Sequence, residues 1–426
     1  MYDWANSAFA TTVLAALLPA YFAGEVVGPE GVVIGGTLFS ATTLWGFVVA
    51  FAAFLIFLIA PVLGAISDFS ATKKKFLLSF AYGGSLFTIL LFFCQSGDVL
   101  KTLLIFLLAQ IGFIGGNIFY DAFLPQIATD DKIDWVSGKG FSYGSLGGGL
   151  QFAVALGLVA GHEQLGISQQ LAARIGLAMA GIWWAGFTLF TVKYLHEVPR
   201  TEAMPDKYQG KPVLFAYAAV GFSRLIKTTR RVSRFRHLLI FLIAFMLYND
   251  GIQTVINMAT IYGKEELNLT TTTLMFTLLI IQTIAILGAL AFSRLAGLVG
   301  TKRSVMITLV IWSGIVIYAY FIQSATEYFI LGLLVGIVLG GSQALSRSLY
   351  GSMIPEEASA EFYAFYSVFS KFSAIWGPMA FAIIRQVAGS SRISIVSLIV
   401  FFIAGLILLS FVDEKKAREA KVAGAF

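Results

Sequence analysis

Between Leu44 and Gly64 the chain runs LWGFVVAFAAFLIFLIAPVLG, 21 residues without a charge. A helix needs about 20 apolar residues to cross a hydrocarbon core about 30 Å thick. Lipid admits only helices and closed barrels as spanning structures, because every backbone N–H and C=O must find its partner internally. Barrel strands alternate polar and apolar residues, and this run does not, so it is helical. Eleven more stretches of the same kind follow the same logic. The twelve run approximately over residues 2–24, 43–66, 76–95, 100–121, 141–161, 172–195, 238–260, 272–296, 304–323, 326–350, 361–386 and 392–412, and are numbered span 1 to span 12.

Composition supports an all-α membrane protein. Of 426 residues, 58% are hydrophobic and 12% charged, with mean hydropathy +0.84, whereas soluble domains carry about 25% charged residues. The lone Cys94 argues against internal disulfides, and His162, His196 and His237 lack metal-ligand spacing. No G-x-x-x-x-G-K-[ST] loop occurs, so ATP coupling within the chain is not expected. No histidine lies within a span to activate a Ser or Asp nucleophile. The expectation is a protein that is not an enzyme, with no metal, no cofactor and no nucleic-acid partner. The first basic residue is Lys73, so the amino terminus lacks the basic region of a cleaved signal peptide and span 1 is read as retained.

Orientation follows from loop charges, since cytoplasmic loops are enriched in Lys and Arg. A cytoplasmic amino terminus places 23 of the 29 basic residues on the inner side and leaves Lys101, Arg174, Lys264, Arg385 and Arg392 outside, with Lys371 alone inside a span. Both termini are therefore expected in the cytoplasm, with a bacterial inner membrane as the expected location. The organisation reads as a six-helix bundle over 1–195, a basic cytoplasmic linker over 196–237, a second six-helix bundle over 238–412 and a tail over 413–426. The linker stretch LFAYAAVGFSRLIKTTRRVSRFRH reads equally as a basic helix lying on the anionic leaflet and as a solvated connector.

The halves carry a weak repeat. GAISDFSATKKK at the end of span 2 matches SRLAGLVGTKR at the end of span 8, so that Thr72-Lys73 aligns with Thr301-Lys302. GGNIFYD at Gly115 matches GGSQALS at Gly340, and Phe141 matches Phe365, all at nearly constant offset. Six-span halves repeat in parallel orientation, as in the two halves of major facilitator transporters.

GAISDFSATKKK also resembles the loop between spans 2 and 3 of the major facilitator superfamily, with Gly64, Ser67, Asp68 and Lys73 fitting while Phe69 and Ala71 replace a basic residue and a glycine. The resemblance implies that Gly64, Asp68 and Lys73 brace an inner gate. YDWANSAFATTV, YNDGIQTVI at Tyr248, GGSQALSRSLY at Gly340 and EFYAFYSVFSKFSAIWGP at Glu361 are similar to the signature segments of the vacuolar amino-acid effluxer family linked to autophagy and its bacterial relatives. In that family the YDWANS segment usually follows about a helical turn or more of apolar and aromatic residues, whereas here Met1 stands directly before Tyr2.

Helical spacing gathers the polar residues of these segments on shared faces. Asp3, Asn6 and Ser7 share one in span 1; Asn117, Tyr120 and Asp121 in span 4; Asp250, Gln253 and Asn257, beside Asn249, in span 7; Gln343, Ser346, Arg347 and Tyr350 in span 10; Tyr363, Ser367, Ser370 and Lys371 in span 11. An ionisable group at the bilayer centre costs roughly 2.5 to 3.5 kcal/mol or more when it faces lipid, so these faces are expected to line a central cavity for substrate or coupling ion. A bland reading stands beside this one. Asn117, Gln343 and Ser367 serve as well for interhelical hydrogen bonds of about 0.6 kcal/mol. Asp121 and Arg347 read as solvated or paired near helix ends, and Gly144 and Gly147 to Gly149 as close packing. Asp250 and Lys371, near the midplane, are the expected functional pair, each the other's partner when no substrate is bound.

Together the residues and the resemblance imply a monomeric secondary transporter of the major facilitator fold, moving a small polar solute by alternating access, with protons as a candidate coupling ion at Asp3 or Asp250. Amino acids as substrate rest on the resemblance alone. A drug or other solute exporter on the same fold, or a lipid scramblase, remains the alternative.

Overall fold

The computed structural model describes residues 1–422 apart from 29, 40, 130, 198–206, 208–215, 218, 224–234, 268, 270, 374–375 and 389. Among the described residues, eleven helices are long and apolar enough to span a bilayer, and they coincide with expected spans 1 to 10 and 12. The eleventh expected span is instead a pair of helices, Ser359–Phe372 and Trp376–Ala388, each too short to span alone. Pro378 explains where the second begins. Proline has no N–H to donate and clashes within a helix interior, but is tolerated in a first turn. Most of the predicted linker lies outside the described residues.

Span 1, Tyr2–Val27, is not a uniform α-helix. Wide π turns over Phe9–Leu17 and Phe22–Val27 flank a short α segment, Leu18–Tyr21. Pro19 sits in that segment and cannot donate back along the helix, and wide turns of this kind are frequent at functional sites. One departure from an all-helical chain follows span 1. Strands β1 (Val32–Ile34) and β2 (Thr37–Phe39) pair antiparallel, with Val33 opposite Leu38. Gly35 and Gly36, at φ of 60° and 83°, make the two-residue turn, a left-handed geometry that suits a tight hairpin.

The chain forms two compact units. The first comprises Met1–Tyr120 and Tyr143–Met204, the second Asp121–Ser142 and Pro205–Phe426. In the first, Gly84 and Gly112 let spans 3 and 4 approach so closely that the fully buried Trp184 ring of span 6 lies against Gly84. Phe9, Phe106 and Trp45 stack beside it. In the second, Gly288, Gly336 and Gly340 bring spans 8 and 10 into backbone contact. Small residues at such contacts are what helix packing in lipid requires, where no hydrophobic driving force separates helix from solvent.

The repeat read from sequence has a structural counterpart. Lys73 and Lys74, opening span 3, donate their backbone N–H groups to the Glu197 carboxylate at 2.7 and 3.0 Å, while Lys74 Nζ donates to the Val192 and Leu195 carbonyls at the end of span 6. In the second unit the Lys302 N–H donates to Glu414 at 2.9 Å, and Lys302 Nζ donates to the Ser410 and Val412 carbonyls at the end of span 12. Each unit thus clamps one helix start to one helix end with a carboxylate on exposed N–H groups and an ammonium on exposed carbonyls. The equivalent lysines are Lys74 and Lys302, one residue from the match read in sequence.

Candidate functional site

The loop between spans 2 and 3, expected to brace a gate, is built around a buried ion pair. Lys73 Nζ lies 2.7 Å from Asp68 Oδ1, with side chains 4% and 0% exposed. The helix carrying Asp68 ends at Ser70, and Thr72 N–H closes it by donating to the Ser67 carbonyl, while Ser67 Oγ donates to Gly64 O. Between them Ala71 takes φ 49°, a left-handed conformation that glycine adopts freely and alanine only with strain. The sequence feature that departs from the superfamily loop therefore sits where backbone geometry asks for glycine.

In the first unit, Tyr120 OH donates to Asp3 Oδ2 at 2.8 Å, and the buried Asn6 amide donates to Asn117 Oδ1. These bonds tie span 1 to span 4. On its other side span 1 meets the glycines of span 5: a Cβ on Gly144 would lie 2.8 Å from Ser7 Oγ and 3.2 Å from Asp3 Cβ, and one on Gly147 2.6 Å from the Trp4 carbonyl. Gly144, Gly147 and Gly148 are thus close packing against span 1, whereas a Cβ on Gly149 would meet nothing within 4 Å.

In the second unit, Asp250 is 1% exposed and accepts the Gly377 N–H at 2.9 Å. The carboxylate thus sits at the start of Trp376–Ala388, the second half of span 11, where N–H groups lack intrahelical partners and the helix dipole favours negative charge. Gly377 is required by the approach, since a Cβ there would meet Thr254 Oγ1 and stand 2.8 Å from Asp250 Oδ1. Beside it Asn249 donates to Ser373 Oγ and accepts from Gln343 Nε2 at 3.1 Å, and Tyr248 OH pairs with Ser346 Oγ at 2.6 Å. Gln253 and Ser367 are half-buried and Asn257 exposed. The Lys371 side chain lies outside the described residues, and with it the predicted pair with Asp250.

A third cluster lies at the ends of spans 4 and 5. Arg347 donates from Nη1 to Asp121 Oδ1 at 3.1 Å, from Nε to Ser137 Oγ at 3.0 Å and from Nη2 to the Ser137 carbonyl at 2.9 Å. Asp134 accepts from Ser348 Oγ and, at 2.6 Å, from Thr301 Oγ1. Tyr363 OH donates to the Arg347 carbonyl at 3.0 Å.

A family model described as vacuole effluxer Atg22 like matches residues 1–422. The chain belongs to the Atg22-like family. It is 31% identical over 421 residues to an uncharacterised MFS-type transporter, YxiO, of Bacillus subtilis (strain 168), covering 98% of this chain and 95% of that one. It is 25% identical to autophagy-related protein 22 of Kluyveromyces lactis, over 82% of this chain and 75% of that one. Among solved structures it is similar in fold to the proton:xylose symporter XylE, at TM-score 0.71 and 16% identity over 98% and 95% of the two chains. The outward conformation of the transporter FucP matches at TM-score 0.70 and 12% identity, over 97% and 96%. This Atg22-like protein is therefore a multi-pass membrane transporter of the major facilitator superfamily and not an enzyme.

Sequence reasoning missed several polar groups of the Atg22-like chain. Thr12 Oγ1 donates to Gln151 Oε1, a buried contact between spans 1 and 5. Gln151 was visible as an amide within the apolar run GGGLQFAVAL. Asp134 and Ser137 stand where the helix of span 5 begins, ahead of the predicted start at 141. Glu197 and Glu414 carry no local signal for their roles, since their partners lie more than 100 residues away.

Proposed function

We propose that this Atg22-like transporter moves a small zwitterionic solute, an amino acid, across a bacterial inner membrane by alternating access, with both termini cytoplasmic. The observation that carries the reading is the pattern of intramembrane polar chemistry: each unit holds its own amide and carboxylate groups, half-buried Asp3 and Asn117 with buried Asn6 in one, and buried Asp250 and Asn249 with half-buried Gln343 in the other. Ionisable groups kept within spans are costly and serve pathways or coupling. The family description as a vacuole effluxer supports solute efflux, and the amino-acid class rests on the resemblance of the signature segments. Asp3 and Asp250 are the coupling candidates, with Gln253, Asn257 and Ser367 facing solute, and the Asp68–Lys73 pair with Gly64 holding the gate loop.

Purified protein in sealed liposomes, loaded with radiolabelled amino acids, sugars or drugs and given an imposed pH gradient, tests this. Amino-acid movement that depends on the protein and the gradient is the expected result. Movement of drugs or sugars with none of amino acids would overturn the substrate class, and scrambling of labelled lipid without solute movement would overturn solute transport itself.

A further inference from the structure

Where span 8 ends and span 9 begins, beside the end of span 12 and the helix Glu414–Val422, the second unit opens a cleft of about 790 Å³. Four cationic side chains line it, Lys302, Arg303, Lys415 and Lys416, against two carboxylates, Asp413 and Glu414. The carboxylates are already engaged. Glu414 accepts the Lys302 N–H, and Asp413 Oδ1 accepts the N–H groups of Lys415 and Lys416 at 3.0 and 3.2 Å, with Lys416 Nζ 3.9 Å from its other oxygen. Lys302 Nζ is held by two carbonyls. Arg303 and Lys415, both exposed, have no ion-pair partner among the described residues, and they come from different elements onto one cleft. The His237 ring accepts the Asp413 N–H through Nδ1 and completes the polar end.

The other wall is apolar. Val299 and Phe411 line the same cleft, Phe411 at 63% exposure, at the ends of helices apolar enough to span lipid. Surplus positive charge beside an exposed hydrophobic wall suits an amphiphile, and the volume is many times what an inorganic phosphate fills. We propose that this cleft binds the phosphate headgroup of an anionic phospholipid, with Arg303 and Lys415 on the phosphate and an acyl chain along Val299 and Phe411. Basic pockets between membrane helices recognise lipid headgroups in this way. The cleft shares no residue with those proposed to face the solute and does not depend on which solute is carried.

Native mass spectrometry of the purified protein, titrated with phosphatidylglycerol or phosphatidylcholine, reads occupancy directly. Phosphatidylglycerol is expected to bind the more tightly. Arg303→Gln with Lys415→Gln should weaken it roughly 30-fold, about fivefold for each basic side chain, and leave phosphatidylcholine unchanged. Lys75→Gln, the same charge loss at the start of span 3, should leave phosphatidylglycerol binding as it was. Should the double variant not fold, the exposed single change Lys415→Gln carries the test at about fivefold. Equal binding of the two lipids, an equal loss in Lys75→Gln, or displacement of the lipid by equimolar inorganic phosphate would each overturn the proposal, the last by making the cleft a small-anion site.

Discussion

Ala71 is the clearest single-residue consequence of the structure. Left-handed backbone costs an alanine about 1–2 kcal/mol, partly offset by the smaller entropy it loses on folding relative to glycine. Ala71→Gly is therefore expected to stabilise the detergent-solubilised protein by about 0.5–1 kcal/mol, seen as a higher thermal midpoint. The neighbouring pair behaves differently. Asp68 and Lys73 are both buried, so Asp68→Asn takes one charge from a buried pair and should cost about 3–5 kcal/mol in the same assay. At Asp250 two substitutions separate two roles. Asparagine retains an oxygen for the Gly377 N–H but no charge, so Asp250→Asn should keep the fold and lose gradient-driven uptake. Alanine removes the acceptor altogether, and Asp250→Ala should destabilise by about 1.5–3 kcal/mol, the range for hydrogen bonds to charged groups. Full concentrative uptake by Asp250→Asn would reduce the residue to a helix cap.

Among the elements, the two clamps at the ends of spans 3 and 6 and of spans 9 and 12 are the structural form of the internal repeat. Glu197→Gln and Glu414→Gln each withdraw a charge from a helix start, and each should cost about 1 kcal/mol. They share no partner and lie in different units, so the double variant should show the sum of the two losses. A marked departure from additivity in thermal unfolding would mean that the clamps communicate. Span 11 depends on its break in the same way. Gly377→Ala would press a methyl group against Thr254 and Asp250, and overpacking of this kind costs about 1–3 kcal/mol.

At the scale of the whole molecule, the chain passes from one compact unit to the other between Tyr120 and Asp121 and back between Ser142 and Tyr143. Any relative movement of the units must therefore carry or strain the segment that Arg347 holds through Asp121 and Ser137. Asp121→Asn and Arg347→Gln should each slow transport, and the double variant should be less impaired than the product of the single effects, since both remove one interaction. Multiplicative losses in liposome uptake would show that the two side chains act independently and that their pairing plays no part in transport.

The apolar runs, and with them the helical membrane fold, were legible from sequence because lipid demands internal backbone pairing over a fixed thickness. The polar faces were legible too, since a 3.6-residue period places Asp3 with Asn6 and Asp250 with Gln253. So was the contact at Gly144, Gly147 and Gly148 of span 5, whose smallness signals close packing before the partner is known, though Gly149 beside them meets nothing within 4 Å. Periodicity says which side of a helix a residue occupies and nothing of what stands opposite. The partners that the tertiary structure supplied are remote: Asn117 for Asn6, Gln151 for Thr12, Arg347 for Asp121, and the Gly377 N–H for Asp250, all more than 100 residues apart in sequence. The break in span 11 was written locally in Gly377 and Pro378, but its meaning was not. Only the fold brings a buried carboxylate from span 7 to the helix start that the break creates, and there its charge meets unpaired N–H groups instead of water.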